Sequence, residues 1–218
     1  AHAEYHGSFN EYNSPTYTRV ALDESERALQ LIEDREARKA ARQLRRIAWQ
    51  VIADSFHPGT GQWAGPHSRT YHDIMSAGDV AYLQQRTGVK IGNHSGGSAR
   101  PSTVDAIQHL PCPEDLFIRF KRLPTYPLEI RRTFNRKSKD EDSTIGTTWF
   151  TADACLGSVN HSMLWTQRRP LIAYWNVEQD QIAVLRQRFL HDGEDFASMG
   201  VRNDQSGSRV LSLFEPLR

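Results

Sequence analysis

The sequence predicts an α+β fold, with helical hairpins over residues 1–110 and a mainly antiparallel β-sheet domain over residues 111–218. Two observations carry this. Before residue 110 apolar residues recur at three- and four-residue steps, the period of a helix with one buried face. After it they gather in short β-branched or aromatic runs, several of them alternating, with turn residues between them. Strands that follow a block of helices argue for segregation of the two, not for an alternating parallel sheet.

From Val20 to Ile32 the residues Val20, Ala21, Ala28, Leu29, Leu31 and Ile32 are expected to form one broad apolar face. From Ala37 to Ile52 the set Ala37, Ala40, Ala41, Leu44, Ile47, Ala48, Val51 and Ile52 describes a second amphipathic helix. One ideal helix through both would rotate the face by more than a quarter turn at about 100° per residue. A break at Glu33–Asp34 resolves the mismatch, with Asp34 as cap, and gives an αα-hairpin. A further helical stretch is expected around Asp73–Arg86, then an exposed Gly/Ser-rich loop over 92–103. The predicted strands are 115–121, 128–134, 144–151, 170–177, 181–189 and 208–214, with turns at Lys137–Asp142 and Asp192–Gly193.

The chain has 218 residues, room for one large or two small domains with a real core. Twenty-seven basic residues against twenty-six acidic ones leave +1, so net charge names no partner. No run reaches the roughly 18 apolar residues of a membrane span. The chain opens on Ala without a secretory leader, and the expectation is a processed or excised piece. Cys112 and Cys155 form no CxxC pair and read as free thiols. The nine histidines show no HExxH spacing, so no metal or cofactor is called. There is also no phosphate-loop lysine in GNHSGG and no GxSxG elbow. Arg35, Arg38, Lys39, Arg42, Arg45 and Arg46 share one helix face, which reads as solvated surface and not as a nucleic-acid track.

Chemistry concentrates in two loops. EYNSPTY at 11–17 is answered some fifty residues later by GPHSRTY at 65–71. Each sets polar and aromatic groups beside a proline or glycine at a helix mouth, where a scaffold can aim them. Asn13 and Ser14 also suit a helix start, with Pro15 in the first turn. An Asn/His/Arg/Tyr set can hold a carboxylate and move a proton beside it.

The order EYNSPTY, paired helices, FHPGTGQWAGPHSRTY and then TTWFTADACLGS…WTQRRPLIAYW resembles heparinase II/III-like proteins over most of residues 9–176. The resemblance implies an α/α toroid followed by an antiparallel β-sandwich, with 1–110 as the last part of the toroid. It also implies a polysaccharide lyase, a carbon–oxygen lyase acting on an acidic polysaccharide or oligosaccharide, and it favours an extracellular or periplasmic setting. On that model Asn13 and Arg69 bind the substrate carboxylate, Tyr17 and His67 are the acid/base pair, and Tyr71 is a secondary one. Trp165 would stack on a sugar ring, and Arg168 and Arg169 would meet an acidic substrate. A glycoside hydrolase on the same scaffold is the competitor and would need two of Glu11, Asp73 and Asp153 to converge. A non-catalytic carbohydrate-binding or structural fragment is the third reading. The sequence leaves the sugar, the linkage and the oligomeric state open.

Overall fold

A computed structural model describes residues 2–92, 109–139, 143–177 and 181–217. The chain runs through α1 (His2–His6), α2 (Pro15–Leu31), α3 (Arg35–Ser55), β1 (Phe56–His57), β2 (Gln62–Trp63), α4 (Ala77–Thr87) and α5 (Glu114–Phe117). A single 3₁₀ turn, Ile118–Phe120, follows. Then come β3 (Leu128–Asn135), β4 (Thr144–Phe150), β5 (Ala154–Val159), β6 (His161–Met163), β7 (Leu171–Asn176) and β8 (Ile182–Arg186). The last strands are β9 (Leu190–His191), β10 (Glu194–Asp195), β11 (Met199–Ser206) and β12 (Arg209–Pro216). The fold is α+β, and every strand pairing is antiparallel.

The helix starts follow local chemistry. Ser14 caps α2, its hydroxyl accepting from the Tyr17 amide, with Pro15 at a position where no N–H is needed. Asp34 caps α3 by accepting from the Ala37 amide at 2.8 Å, and residues 32–34 form the short turn of an αα-hairpin. Arg38 closes that turn from the other side, donating to the Ile32 carbonyl at 3.0 Å and to that of Leu29. Ser76 and Asp79 make a reciprocal capping box on α4, and Gly88 ends it at φ 65°.

Three expectations need correction. The buried face of α2 is Pro15, Thr18, Leu22, Ser25 and Glu26, while Val20 and Leu31 are exposed, Leu31 at 74%. Counting apolar letters missed this because the face is anchored by a charge. Glu26 is fully buried, held by Arg45 Nε at 2.8 Å and by Arg86 at 2.5 Å, with the Leu110 amide at 3.2 Å. Second, 115–121 is not a strand. Acids Glu114 and Asp115 follow Pro113, and Leu116 and Phe120 lie four residues apart on the face that joins the helical core. Third, β5, β6 and β11 fall outside the predicted strands, because Gly, Ser and Asn interrupt their apolar alternation. Of the Gly/Ser-rich loop, residues 93–103 lie outside the described residues, as do 140–142 of the Lys137–Asp142 turn.

β3, β4, β5, β7 and β8 form one five-stranded sheet in that order, and β12, β11 and β6 a three-stranded one. β9 and β10 close a hairpin through Asp192 and Gly193, both at positive φ (53° and 85°), the geometry an Asp-Gly turn supplies. The two larger sheets meet through polar side chains on β11. Asn203 donates to the Val159 and Pro170 carbonyls, and Gln205 to that of Leu156 at 3.1 Å.

The helical part docks on the five-stranded sheet through residues 56–67. Thr148 Oγ1 donates to the Gly65 carbonyl at 2.7 Å, and the His57 ring bonds the Thr151 carbonyl at 2.8 Å. The approach is close enough that a Cβ on Gly157 would lie 1.9 Å from the Gly65 oxygen. Both cysteines are buried free thiols. No helix among the described residues is long and apolar enough to cross a membrane.

Candidate functional site

The loops at 11–17 and 65–71 lie against one another, and a third segment, 165–169, lies against both. Backbone bonds make the junction. Ser68 N donates to the Tyr12 carbonyl, His67 and Arg169 exchange a pair at 3.0 and 2.9 Å, and Thr70 N donates to the Gln167 carbonyl at 2.8 Å.

Beneath the surface Asn13 organises the junction. It sits at φ 44°, a left-handed conformation that Asn tolerates better than most residues. Its Nδ2 donates to the Ala64 and Pro66 carbonyls at 2.9 and 2.8 Å, and its Oδ1 accepts from the Trp63 indole at 2.6 Å. His67 Nδ1 bonds the Asn13 carbonyl at 2.7 Å, so that nitrogen carries the hydrogen. Burial pushes the His67 imidazole down to about 4, against the pull of that carbonyl bond, and the ring is neutral at neutral pH. Ser14 Oγ donates to the Arg69 carbonyl at 2.7 Å. Asn13 and His67 are both buried and fasten the two loops together.

Above this layer lies an open surface. The Tyr17 and Tyr71 hydroxyls are 3.1 Å apart. The Arg69 guanidinium stands 5.1 Å from the Tyr17 ring centroid, 5.7 Å from that of Tyr71 and 5.5 Å from that of Trp165. These are cation–π distances. Tyr71 and Trp165 are 45% and 40% exposed. Glu11 and Gln167 steady the arginine, accepting from Nη1 at 2.9 Å and Nε at 2.8 Å. Tyr17 is raised above the usual phenol range, first because it is hydrogen-bonded to Tyr71, while Arg69 pulls the other way. It is therefore a proton donor at neutral pH.

The remaining predicted residues go elsewhere. Arg169 is buried and pairs with Asp73, donating also to the Thr166 and Arg168 carbonyls at 2.6 and 3.0 Å. Arg186 donates to both Asp73 oxygens at 3.0 Å, and burial, which alone would raise the Asp73 carboxyl, is outweighed by the two arginines, so it stays below its usual range. Arg168 donates to Ser162 Oγ on β6 at 3.3 Å. Of the three acids weighed for hydrolysis, Glu11 is bound to Arg69, Asp73 to two arginines, and Asp153 is exposed at the β4–β5 turn. Of the basic face on α3, Arg45 and Arg46 pair with Glu26 and Asp115.

Sequence reasoning did not find Trp63 or Gln167. Gln167 sits inside WTQRRP beside residues that were noticed, but nothing local says that its amide faces Arg69. One further cluster has the composition of a metal site, with ligand atoms of Asp23, Glu26 and His109 within 4.8 Å of one another. The Arg86 guanidinium already takes the cation's place, 3.2 Å from Asp23 and 2.7 Å from His109 Nδ1.

Residues 3–109, slightly less than half the chain, match the model of a domain of unknown function (DUF8769). That stretch holds α2, α3, α4, nearly all of α1 and both predicted site loops, while α5 and strands β3 to β12 lie outside it. No curated protein and no solved structure matches the chain.

Proposed function

We propose that the chain is a carbohydrate-active piece of a polysaccharide lyase, cleaving a uronate-containing polysaccharide by β-elimination. In this reading it is heparinase II/III-like, the α2–α3 hairpin being one turn of an α/α toroid and the sheets the beginning of a β-sandwich. The observation that carries the proposal is the half-buried Arg69 ringed by Tyr17, Tyr71 and Trp165, with two phenol hydroxyls in contact.

β-Elimination removes the C5 proton, breaks the C4–oxygen bond to the next sugar and leaves a C4–C5 double bond. Arg69, exchanging Glu11 for the substrate carboxylate, would offset the charge that develops as the C5 proton departs. Trp165 would carry a sugar face. Tyr17 and Tyr71 would relay the proton: one hydroxyl oxygen takes it from C5 as its own hydrogen passes to the other, which gives its hydrogen to the departing C4 oxygen. Asn13 and His67 would act from below, by holding the loop that presents Arg69. Arg169 would hold the same loop from the sheet side.

An assay on acidic glycans tests this, because elimination leaves an unsaturated, ultraviolet-absorbing sugar and hydrolysis does not. Tyr17→Phe should abolish the absorbing product and Arg69→Ala should reduce it at least a hundredfold, about 3 kcal/mol of barrier. Saturated products, or full activity in both variants, overturn the proposal. A non-catalytic acidic-glycan binder is the second reading. It is favoured by the engagement of Arg69 with Glu11 and Gln167 and of Asn13 with backbone. Binding that depends on Arg69 and Trp165 without any turnover would select it.

A further inference from the structure

A cavity of about 370 Å³ opens between Tyr12, β6, Arg168 and the ends of β11 and β12. That volume suits a single sugar-sized ligand. Its charge is unbalanced. Arg168 and Arg202 both line it, but its one carboxylate, Glu215, is taken by Arg202 at 3.1 Å. Arg168 has no carboxylate partner among the described residues. One guanidinium nitrogen makes a long bond to Ser162 Oγ at 3.3 Å, and its Nε, shut away from water, meets no acceptor. The Nε is as closed to a ligand as to water, but the side chain as a whole is only half-buried, and its outer nitrogens can take a carboxylate from the cavity.

The rest of the lining narrows the ligand. Ser162, Thr144 and Tyr12 bring hydroxyl-bearing side chains to the lining, Ser162 Oγ already donating to the Met163 carbonyl at 3.0 Å, and Val201 and Leu217 are its apolar part. Burial pushes the Tyr12 phenol up to about 12, so it is a neutral group there and adds no negative charge. His161 also lines the cavity, its Nε2 3.4 Å from Thr144 Oγ1, and Arg168 is the one permanent cation in excess; that matches a monoanion, and the flat guanidinium edge matches a carboxylate. Gly200 keeps the wall open, since a Cβ there would stand 3.1 Å from Leu217 Cδ2 and 3.4 Å from Glu215 Cγ.

We propose that this cavity is a second binding site, distinct from the Arg69 surface, for a small hydroxylated carboxylate of the sugar-acid class, with Arg168 as its anchor. The inference stands independently of the lyase reading.

The test titrates sodium glucuronate, glucose and inorganic phosphate into the full chain by calorimetry. Saturable binding of glucuronate and none of glucose is expected. Arg168→Gln should weaken glucuronate at least tenfold, and Gly200→Ala should weaken it severalfold while leaving the charge in place. The titrations are repeated in an Arg69→Ala background, where the Arg168-dependent binding should persist. If the thermal melt shows Arg168→Gln unfolded, Arg168→Lys decides, since it keeps the charge and loses the fork, and binding should fall severalfold. Binding insensitive to Arg168, equal binding of glucose, tighter binding of phosphate, or loss of the Arg168-dependent binding in the Arg69→Ala background would each overturn the assignment.

Discussion

Asn13 is the residue on which the junction's stability should depend most, and the size of the effect follows from its bonds. Truncation to Ala strips partners from three buried groups, the Ala64 and Pro66 carbonyls and the Trp63 indole N–H. Each orphaned group costs about 1–2 kcal/mol net, which gives about 4 kcal/mol in all. Ala at φ 44° adds roughly 1 kcal/mol, because its Cβ crowds the carbonyl in the left-handed region. Asn13→Gly removes the same bonds without that strain, so the two variants should differ by about 1 kcal/mol, with Ala the weaker. Urea unfolding followed by tryptophan fluorescence reads both, since Trp49 and Trp63 are buried. Tyr17→Phe, on the surface above, should leave the midpoint within about 0.5 kcal/mol of the parent. A loss below about 1 kcal/mol for Asn13→Ala would refute the account, because the three bonds would then be replaceable by water. The pairing of variants also separates stability from chemistry. On the lyase proposal, Asn13→Ala should lower elimination and stability together, and Tyr17→Phe elimination alone.

Three other outcomes are expected. His67 has a folded pKa of about 4 against 6.5 unfolded, so below pH 6.5 the unfolded chain takes up protons that the folded chain refuses. Stability should therefore be full above pH 6.5 and fall toward pH 4 by up to about 3 kcal/mol. A pH series of melts on the parent and His67→Gln should show a shallower slope in the variant; the slope will not vanish, because burial lowers His57 too. Gly157→Ala should destabilise by about 3–5 kcal/mol or prevent folding, since the new Cβ meets the Gly65 backbone and not a movable side chain; near-parental melting would show that 56–67 can lift off the sheet. Glu26→Gln should lose about 3 kcal/mol, because Arg45 and the buried Arg86 give up their shared carboxylate, and a denaturant midpoint unchanged from the parent would argue that water reaches that cluster.

Much of the helical part was legible in sequence because its signals are local. Ser14–Pro15 and Asp34 mark helix starts through bonds to amides three residues on, and the break between α2 and α3 follows from rotation of the apolar stripe. Asp192–Gly193 specifies its turn for the same reason. What failed was any inference that needed a distant partner. The buried face of α2 turns on Glu26, whose partners lie nineteen and sixty residues away along the chain. A carboxylate is read as surface until those arginines are placed. The strands β5 and β11 are held by neighbours and by the Asn203 and Gln205 side chains, not by alternation of their own.

The candidate site divides along the same line. Sequence marked the two loops, since polar and aromatic residues beside Pro and Gly stand out locally. Only the tertiary structure decided which residues lie beneath and which lie open. Asn13, His67 and Arg169 are drawn inward because the junction of three loops leaves backbone carbonyls and Asp73 to satisfy away from water. Tyr17, Arg69, Tyr71 and Trp165 stay outside, and they meet because segments some fifty and a hundred residues apart end at one place on the surface. Residue type says what a side chain can do; the long-range backbone pairing of 67 with 169 sets which of them face the solvent together.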